Sequence, residues 1–376
     1  MRDIVIAAGA LKGSLSASAA AAAVERGLQR SGIAARLHRL PIADGGDGTL
    51  EAFTAGGGRR EARTVFDPLG RLRAAEFGLL DDGTAVIEMA QASGLALLAE
   101  DELDAMRAST YGTGQLMKAA LDTGARRMIV GMGGSASTDG GAGCLMALGV
   151  KLLDGRGKMI PLGGGGLRAL ARVDESGLDA RWREVELIIA TDVDNPAVGE
   201  RGAAAVFAPQ KGASADQVRR LAANLEHFFD VVEAALGVEV RTRPGGGAAG
   251  AFAAGLMAFL GGRIRSGIDL LLDHRGFDDL LADAGLVITS EGRLDAQTLG
   301  GKAPVGVARR AAARGVPTVA LVGGLSGDDA DFHAAGVWAA LPIVTAPMLL
   351  HEALADAERL IEAAALRLGY ILRIKL

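Results

Sequence analysis

A chain of 376 residues is long enough for two domains, and 49% hydrophobic residues with a mean hydropathy of +0.26 exclude general disorder. The charged groups, 40 basic against 45 acidic, leave a net charge of −5 and no basic surplus to attract a nucleic acid or an anionic membrane. A single cysteine, Cys144, can close no intrachain disulfide and build no zinc site, which fits a reducing, cytoplasmic setting.

In chain order, Ile4 to Ala7 reads as a buried parallel strand, and Ser14 or Ser16 caps an alanine-rich helix that stops at Gly32. Asp3 and Lys12 flank and interrupt this apolar stretch, which is a poor signal peptide. A second strand is expected over Ala35 to Pro41. From Arg60 to Ala90, short extended runs are split by the turns Pro68-Leu69-Gly70 and Asp81-Asp82-Gly83, the grammar of antiparallel or mixed sheet. Helix Ser109 to Asp122, strand Arg127 to Met132 and strand Glu186 to Thr191 follow, then a helix opened by the capping box Ser214 with Gln217. Ala248 to Leu260 is apolar but too short to span a bilayer.

The last quarter returns to alternation: strand Leu286 to Thr289, helix Lys302 to Arg314, strand Thr318 to Val322, strand Trp338 to Ile343 and a long helix from Met348. The expected fold is therefore α/β. A Rossmann-like parallel-sheet domain is built from both chain ends, residues 1–62 and 284–376, with a second α/β domain of mixed sheet, residues 63–283, inserted between them.

Glycine is the compositional anomaly, with 55 residues and no collagen period. Five clusters follow or flank predicted strands: 43–49, 131–141, 191–196, 244–250 and 290–295. Loops after parallel strands gather on one sheet edge, where freed amides surround phosphate oxygens and carboxylates hold magnesium. Each cluster taken alone is more often simply a turn. A Walker A loop is absent, since Gly301-Lys302 precedes Ala303 and Gly157-Lys158 precedes Met159. The five histidines lie outside the clusters and no Gly-x-Ser-x-Gly elbow exists, which disfavours a histidine-based hydrolase. Gly131-x-Gly133-x-x-Ala136 follows a strand and keeps an NAD-dependent hydroxy-acid dehydrogenase open; Gly245-x-Gly247-x-x-Gly250 fits the same fingerprint without a strand before it.

The ordered motifs Leu11-Lys12-Gly13-Ser14-Leu15-Ser16-Ala17, Ala43-Asp44-Gly45-Gly46-Asp47-Gly48-Thr49, Glu88-Met89-Ala90, Gly112-Thr113-Gly114, Gly133-Gly134-Ser135-Ala136 with Asp139-Gly140-Gly141, Asp192-Val193 with Asn195-Pro196, Pro209-Gln210-Lys211-Gly212 and Glu291-Gly292-Arg293 with Asp295 and Gln297 run nearly end to end. In these the chain resembles the bacterial glycerate kinases that lack a Walker A loop. The resemblance implies ATP- and magnesium-dependent phosphorylation of D-glycerate, with 2-phosphoglycerate favoured, by a monomer or homodimer that needs no nucleic acid and no membrane. The sequence departs from that family at Ala8-Gly9-Ala10-Leu11, where Pro-Asp-Ser and an aromatic usually stand, at Ser290, usually glycine, and at Ser137-Thr138, usually Thr-Asn, before Asp139. The missing acidic and hydroxyl groups keep a non-catalytic sugar-acid sensor open.

Phosphoryl transfer needs alignment, neutralised charge and an acceptor for the hydroxyl proton. Asp192 and Asp139 are the candidates for magnesium ligation or proton acceptance. Lys12, Arg293 and Lys302 suit phosphate or substrate carboxylate, and Ser14 with the amides of Gly133, Gly134 and Ser135 suits neutral donation. Asp44, Gly45, Gly46, Asp47, Asn195, Gln210, Lys211, Glu291 and Asp295 complete the expected substrate- and nucleotide-binding set. Four of these have plain structural roles to offer as well: Asp47 as a helix-entry cap, Asp295 and Glu291 as local ion-pair partners of Arg293, and Lys302 as a solvated first-turn lysine.

Overall fold

The computed structural model describes residues 2–295, 298–300 and 303–374, and divides them into two compact units. The first comprises residues up to 44, 51–56 and 267–376; the second comprises 45–50 and 57–266. Residues 267–283, read from sequence as part of the insertion, cluster with the first unit.

In the first unit, β1 (Asp3–Ala8) is the expected apolar strand, and Ser16 accepts the Ala19 amide to cap the helix Ala17–Arg30. That helix crosses to β2 (Leu37–Arg39), which lies parallel to β1 with Val5 opposite His38.

The second unit begins its sheet with the antiparallel pair β3 (Arg59–Phe66) and β4 (Leu72–Leu79), then β5 (Ala85–Glu88) and β6 (Arg127–Gly131). The hairpin β7 (Lys151–Leu153) and β8 (Arg172–Asp174) stands apart as a separate antiparallel ribbon. β9 (Glu186–Ala190) and β10 (Arg263–Arg265) complete a six-stranded mixed sheet in the order β10-β9-β6-β5-β4-β3. Four of its strands, β5, β6, β9 and β10, run parallel, so the loops that follow them share one edge. The Ser214–Gln217 capping box opens the helix Ala215–Leu236 as read from sequence.

Returning to the first unit, β11 (Ala284–Leu294), β12 (Thr318–Leu325) and β13 (Val337–Pro342) extend the parallel sheet to the order β13-β12-β11-β1-β2. Its core is apolar on the expected face, with Ile4, Ile6, Val24, Leu28, Ile288 and Ile361 buried. β1 leads outward to β2 on one side and β11 leads to β12 on the other. The strand order therefore reverses between β1 and β11, the position where open α/β sheets present a crevice. The α/β class, with one parallel and one mixed sheet, is the one the sequence predicts. Among the described residues no helix is long and apolar enough to cross a membrane.

Candidate active site

At that reversal the first unit holds a cavity of about 610 Å³. Lys12 and Ser14 enter it from the turn after β1, and Glu291, Arg293 and Asp295 enter from the end of β11. β11 runs five residues past the expected end at Thr289 because Glu291 and Arg293 stay in parallel register with Val322 and Gly324 of β12. Gly292, Gly323 and Gly324 keep that wall low, while Ile343, Val344, Leu350 and Leu354 make the other side apolar. Lys12 and Arg293 are exposed, so two cations face a cavity of small-ligand size. Ser14 Oγ donates to the Leu11 carbonyl at 2.9 Å, so its proton is engaged and its lone pairs remain, an acceptor where a donor was expected. The Arg293 guanidinium lies 3.7 Å from Asp295 and 3.4 Å from Ser326 Oγ. Thr298 ties the two acids together: its hydroxyl donates to Glu291 at 3.1 Å and its amide to Asp295 at 3.3 Å. Lys302 and Gln297 lie outside the described residues.

Two of the three places where the sequence departs from the family it resembles meet beside this cavity. The Gly9 amide donates to the Ser290 carbonyl at 3.2 Å, and Ser290 Oγ donates back to the Gly9 carbonyl at 2.8 Å. A Cβ at position 9 would stand 2.6 Å from the Ser290 carbonyl oxygen, so this backbone packing admits glycine and resists aspartate.

In the second unit the glycine loops interlock. The Gly133 amide donates to the Gly45 carbonyl at 2.8 Å, and a Cβ on Gly133 would come within 2.2 Å of Gly46 Cα. Gly45, Gly46, Gly133 and Gly134 thus form one stack over the ends of β6 and β9, with Asp47 exposed beside it and Asp44 closing the preceding stretch of the first unit. The expected capping by Asp47 is carried out instead by Glu88, at the end of β5. Its carboxylate accepts the Leu50 amide at 2.8 Å and the Gly48 amide at 3.3 Å. Burial pushes the Glu88 carboxyl above its ordinary range, the two amides oppose this, and the nearby Asp47 charge adds to it. Glu88 was legible only as a motif member; a glutamate closing the apolar run Ala85-Val86-Ile87 is the signal that marks it.

Asp139 is fully buried, and protein donors occupy both of its oxygens. Thr110 gives its amide and hydroxyl, both at 2.9 Å to Oδ2, and the amides of Gly141 and Gly143 follow at 3.1 and 3.2 Å. Burial raises its carboxyl above the usual range against the pull of those bonds. The geometry is that of a structural clamp on the start of the helix Ala142–Ala147, with both carboxylate oxygens engaged by protein donors. Asp192, half-buried just beyond β9, keeps the character of a candidate ligand. Asn195 is spent on structure: its side-chain nitrogen donates to the Arg201 carbonyl at 2.8 Å, and its carbonyl accepts the Gly247 amide. Gln210 is exposed, whereas Lys211 is buried with Nζ 2.8 Å from Ser135 Oγ. Among the described residues no group of three or more His, Cys, Asp or Glu side chains converges as a metal cluster.

Neither dinucleotide fingerprint is built as one. A Cβ on Gly247 would lie 2.3 Å from the Pro196 carbonyl and one on Gly250 2.2 Å from the Ser137 carbonyl, so these glycines pack protein backbone. Gly131 and Gly133 are likewise pressed against Gly45 and Gly46.

The sequence profile of the Glycerate kinase family matches residues 4–373. The chain is 46% identical over 374 residues to the glycerate kinase of Halalkalibacterium halodurans, covering 99% of this chain and 98% of that one. It is 44% identical over 353 residues to the glycerate 2-kinase of Escherichia coli, covering 93% and 92%. A crystal structure provisionally assigned as glycerate kinase 2 of Salmonella typhimurium superposes with a TM-score of 0.85 at 41% identity, over 99% of this chain and 98% of that one.

Proposed function

The chain belongs to the glycerate kinase family and is a kinase, and from that premise we propose that it transfers the γ-phosphoryl group of ATP to D-glycerate, giving 2-phosphoglycerate and ADP. The observation that carries this reading is the cavity at the β1/β11 reversal, where Lys12 and Arg293 face an apolar wall formed by Ile343, Leu350 and Leu354. Two cations suit the phosphate chain, and the wall suits a purine. Choice of the 2-hydroxyl follows the name of the Escherichia coli relative, glycerate 2-kinase.

Magnesium keeps most of its waters and takes one or two carboxylates beside nucleotide phosphates, so it needs no three-residue cage. Of the two carboxylates expected for it, Asp192, half-buried at a strand end, is the one we assign to it, whereas both oxygens of the buried Asp139 are engaged by protein donors. When bound, the ion would neutralise phosphate charge. Asp47, exposed beside the stacked glycine loops, and Gln210 are the polar groups we assign to substrate. The reading as a monomer or homodimer belongs to the same proposal. Phosphorus NMR of the product made from ATP, magnesium and D-glycerate tests it: a 2-phosphoglycerate resonance is expected, and a 3-phosphate or unchanged ATP would contradict it.

A further inference from the structure

Lys211 closes the single turn Pro209–Lys211 and sends its side chain into the interior of the second unit, where only 2% of it is exposed. Among the described residues Nζ has two hydrogen-bond partners, Ser135 Oγ at 2.8 Å and the Ser137 carbonyl at 2.5 Å. Neither is a carboxylate. The one opposite charge acting on it among the described residues is Asp139, whose oxygens are already filled by Thr110, Gly141 and Gly143.

An ammonium there would carry three N–H groups to two partners and a buried charge with no bonded counter-ion. A neutral amine fits better. It can donate one N–H to the Ser137 carbonyl and turn its lone pair to the Ser135 hydroxyl, reversing the donation from Nζ to Oγ that an ammonium makes there. Burial is the main cause that brings the Lys211 amine down to about 7, with Asp139 opposing it. With its proton turned toward Nζ, Ser135, itself only 9% exposed, turns its oxygen lone pairs away from the lysine, on a loop whose neighbour Gly134 is exposed.

We propose that Ser135 and Lys211 are the proton-accepting pair for the alcohol that is phosphorylated, an inference that rests on the kinase reading above. The substrate O–H bond breaks as its oxygen bonds the γ-phosphorus and the bond from phosphorus to ADP breaks. The freed proton passes to Ser135 Oγ while the serine's own proton passes to Lys211 Nζ, and the resulting ammonium releases it to solvent after product leaves. Ser135 is then the catalytic residue, and Lys211 the positioning residue that holds the proton through it.

Three variants of the full chain and one direct titration test the pair. Lys211→Met and Ser135→Ala should each lower kcat by about 10²–10⁴-fold with KM changed only a few-fold. The unsubstituted enzyme should lose rate on the acid side of about pH 7, and both variants should abolish that fall. Lys211→Arg, which keeps a cation and donors but accepts no proton at these pH values, should not rescue the rate, whereas a strut role would be rescued. If Lys211→Met fails to fold, Ser135→Ala, which keeps the buried lysine, carries the test. NMR of 13Cε-labelled lysine in the unsubstituted protein should show Lys211 titrating near 7. A midpoint at the ordinary lysine value of about 10.4, or an acid limb kept in both variants, would overturn the pair. Lack of glycerate turnover by the unsubstituted protein, with Lys211 still titrating near 7, would overturn the glycerate reading and with it the role of the pair in that reaction.

Discussion

Ser290 Oγ donates to the carbonyl of Gly9 at 2.8 Å and the Gly9 amide donates to the Ser290 carbonyl at 3.2 Å, so two hydrogen bonds tie the residue just past β1 to β11. Gly9→Asp, which restores the usual residue, would push a Cβ to within 2.6 Å of the Ser290 carbonyl oxygen and displace the strand end. It should cost about 1–3 kcal/mol, read as a lowered urea midpoint at unchanged slope. An unchanged midpoint would show that the strand ends yield freely.

Asp139 is expected to act on the fold. Asp139→Ala strips the acceptor from the buried amides of Thr110, Gly141 and Gly143, each worth about 1–3 kcal/mol when left unmet. Failure to fold, or a loss of at least about 3 kcal/mol, is expected by thermal or urea denaturation. A variant of normal stability with activity lost would return Asp139 to the chemistry.

Glu88 gives a pH signature with a definite sign. Its folded-state value lies above the ordinary one near 4.5, so the folded chain binds this proton more tightly than the unfolded chain. The contribution is complete below the ordinary value and is lost as pH rises through the raised one. Glu88→Gln does not titrate. Urea melts of both proteins at about pH 4 and pH 7 should show the unsubstituted chain losing stability relative to Glu88→Gln as pH rises. A constant difference would mean that Glu88 is not shifted.

Lys12→Ala and Arg293→Ala should each raise KM for ATP by about tenfold or more, since a charge-assisted contact to phosphate is lost, while the melting temperature stays put because both side chains are exposed. The loss should shrink at high salt. An unchanged KM in steady-state kinetics would remove the cavity from nucleotide binding.

The apolar strands were legible from sequence because burial on both faces writes an unbroken run, as in Ile4 to Ala7 and Leu286 to Thr289. The continuation of β11 through Ser290, Glu291 and Arg293 was not, since a polar strand end looks like a loop until its partner β12 is known. The long helix from Met348 is two helices, Leu350–Ala355 and Ala357–Leu372, whose shared apolar periodicity hides the break at Asp356. Site chemistry was legible as residue type and not as burial. Asp139 and Asp192 look alike in sequence, one after a glycine loop and one after a strand, and only tertiary packing fills the oxygens of the first. Lys211 likewise shows no sign in its neighbours Gln210 and Gly212 that its amine ends against Ser135.

The most direct test of the account is ADP release by the purified protein with ATP and magnesium, measured with and without D-glycerate. Release should depend on D-glycerate and saturate with it, and Asp192→Asn should lower it by orders of magnitude in a folded protein. Release that is absent, or equal with and without D-glycerate, would contradict the account.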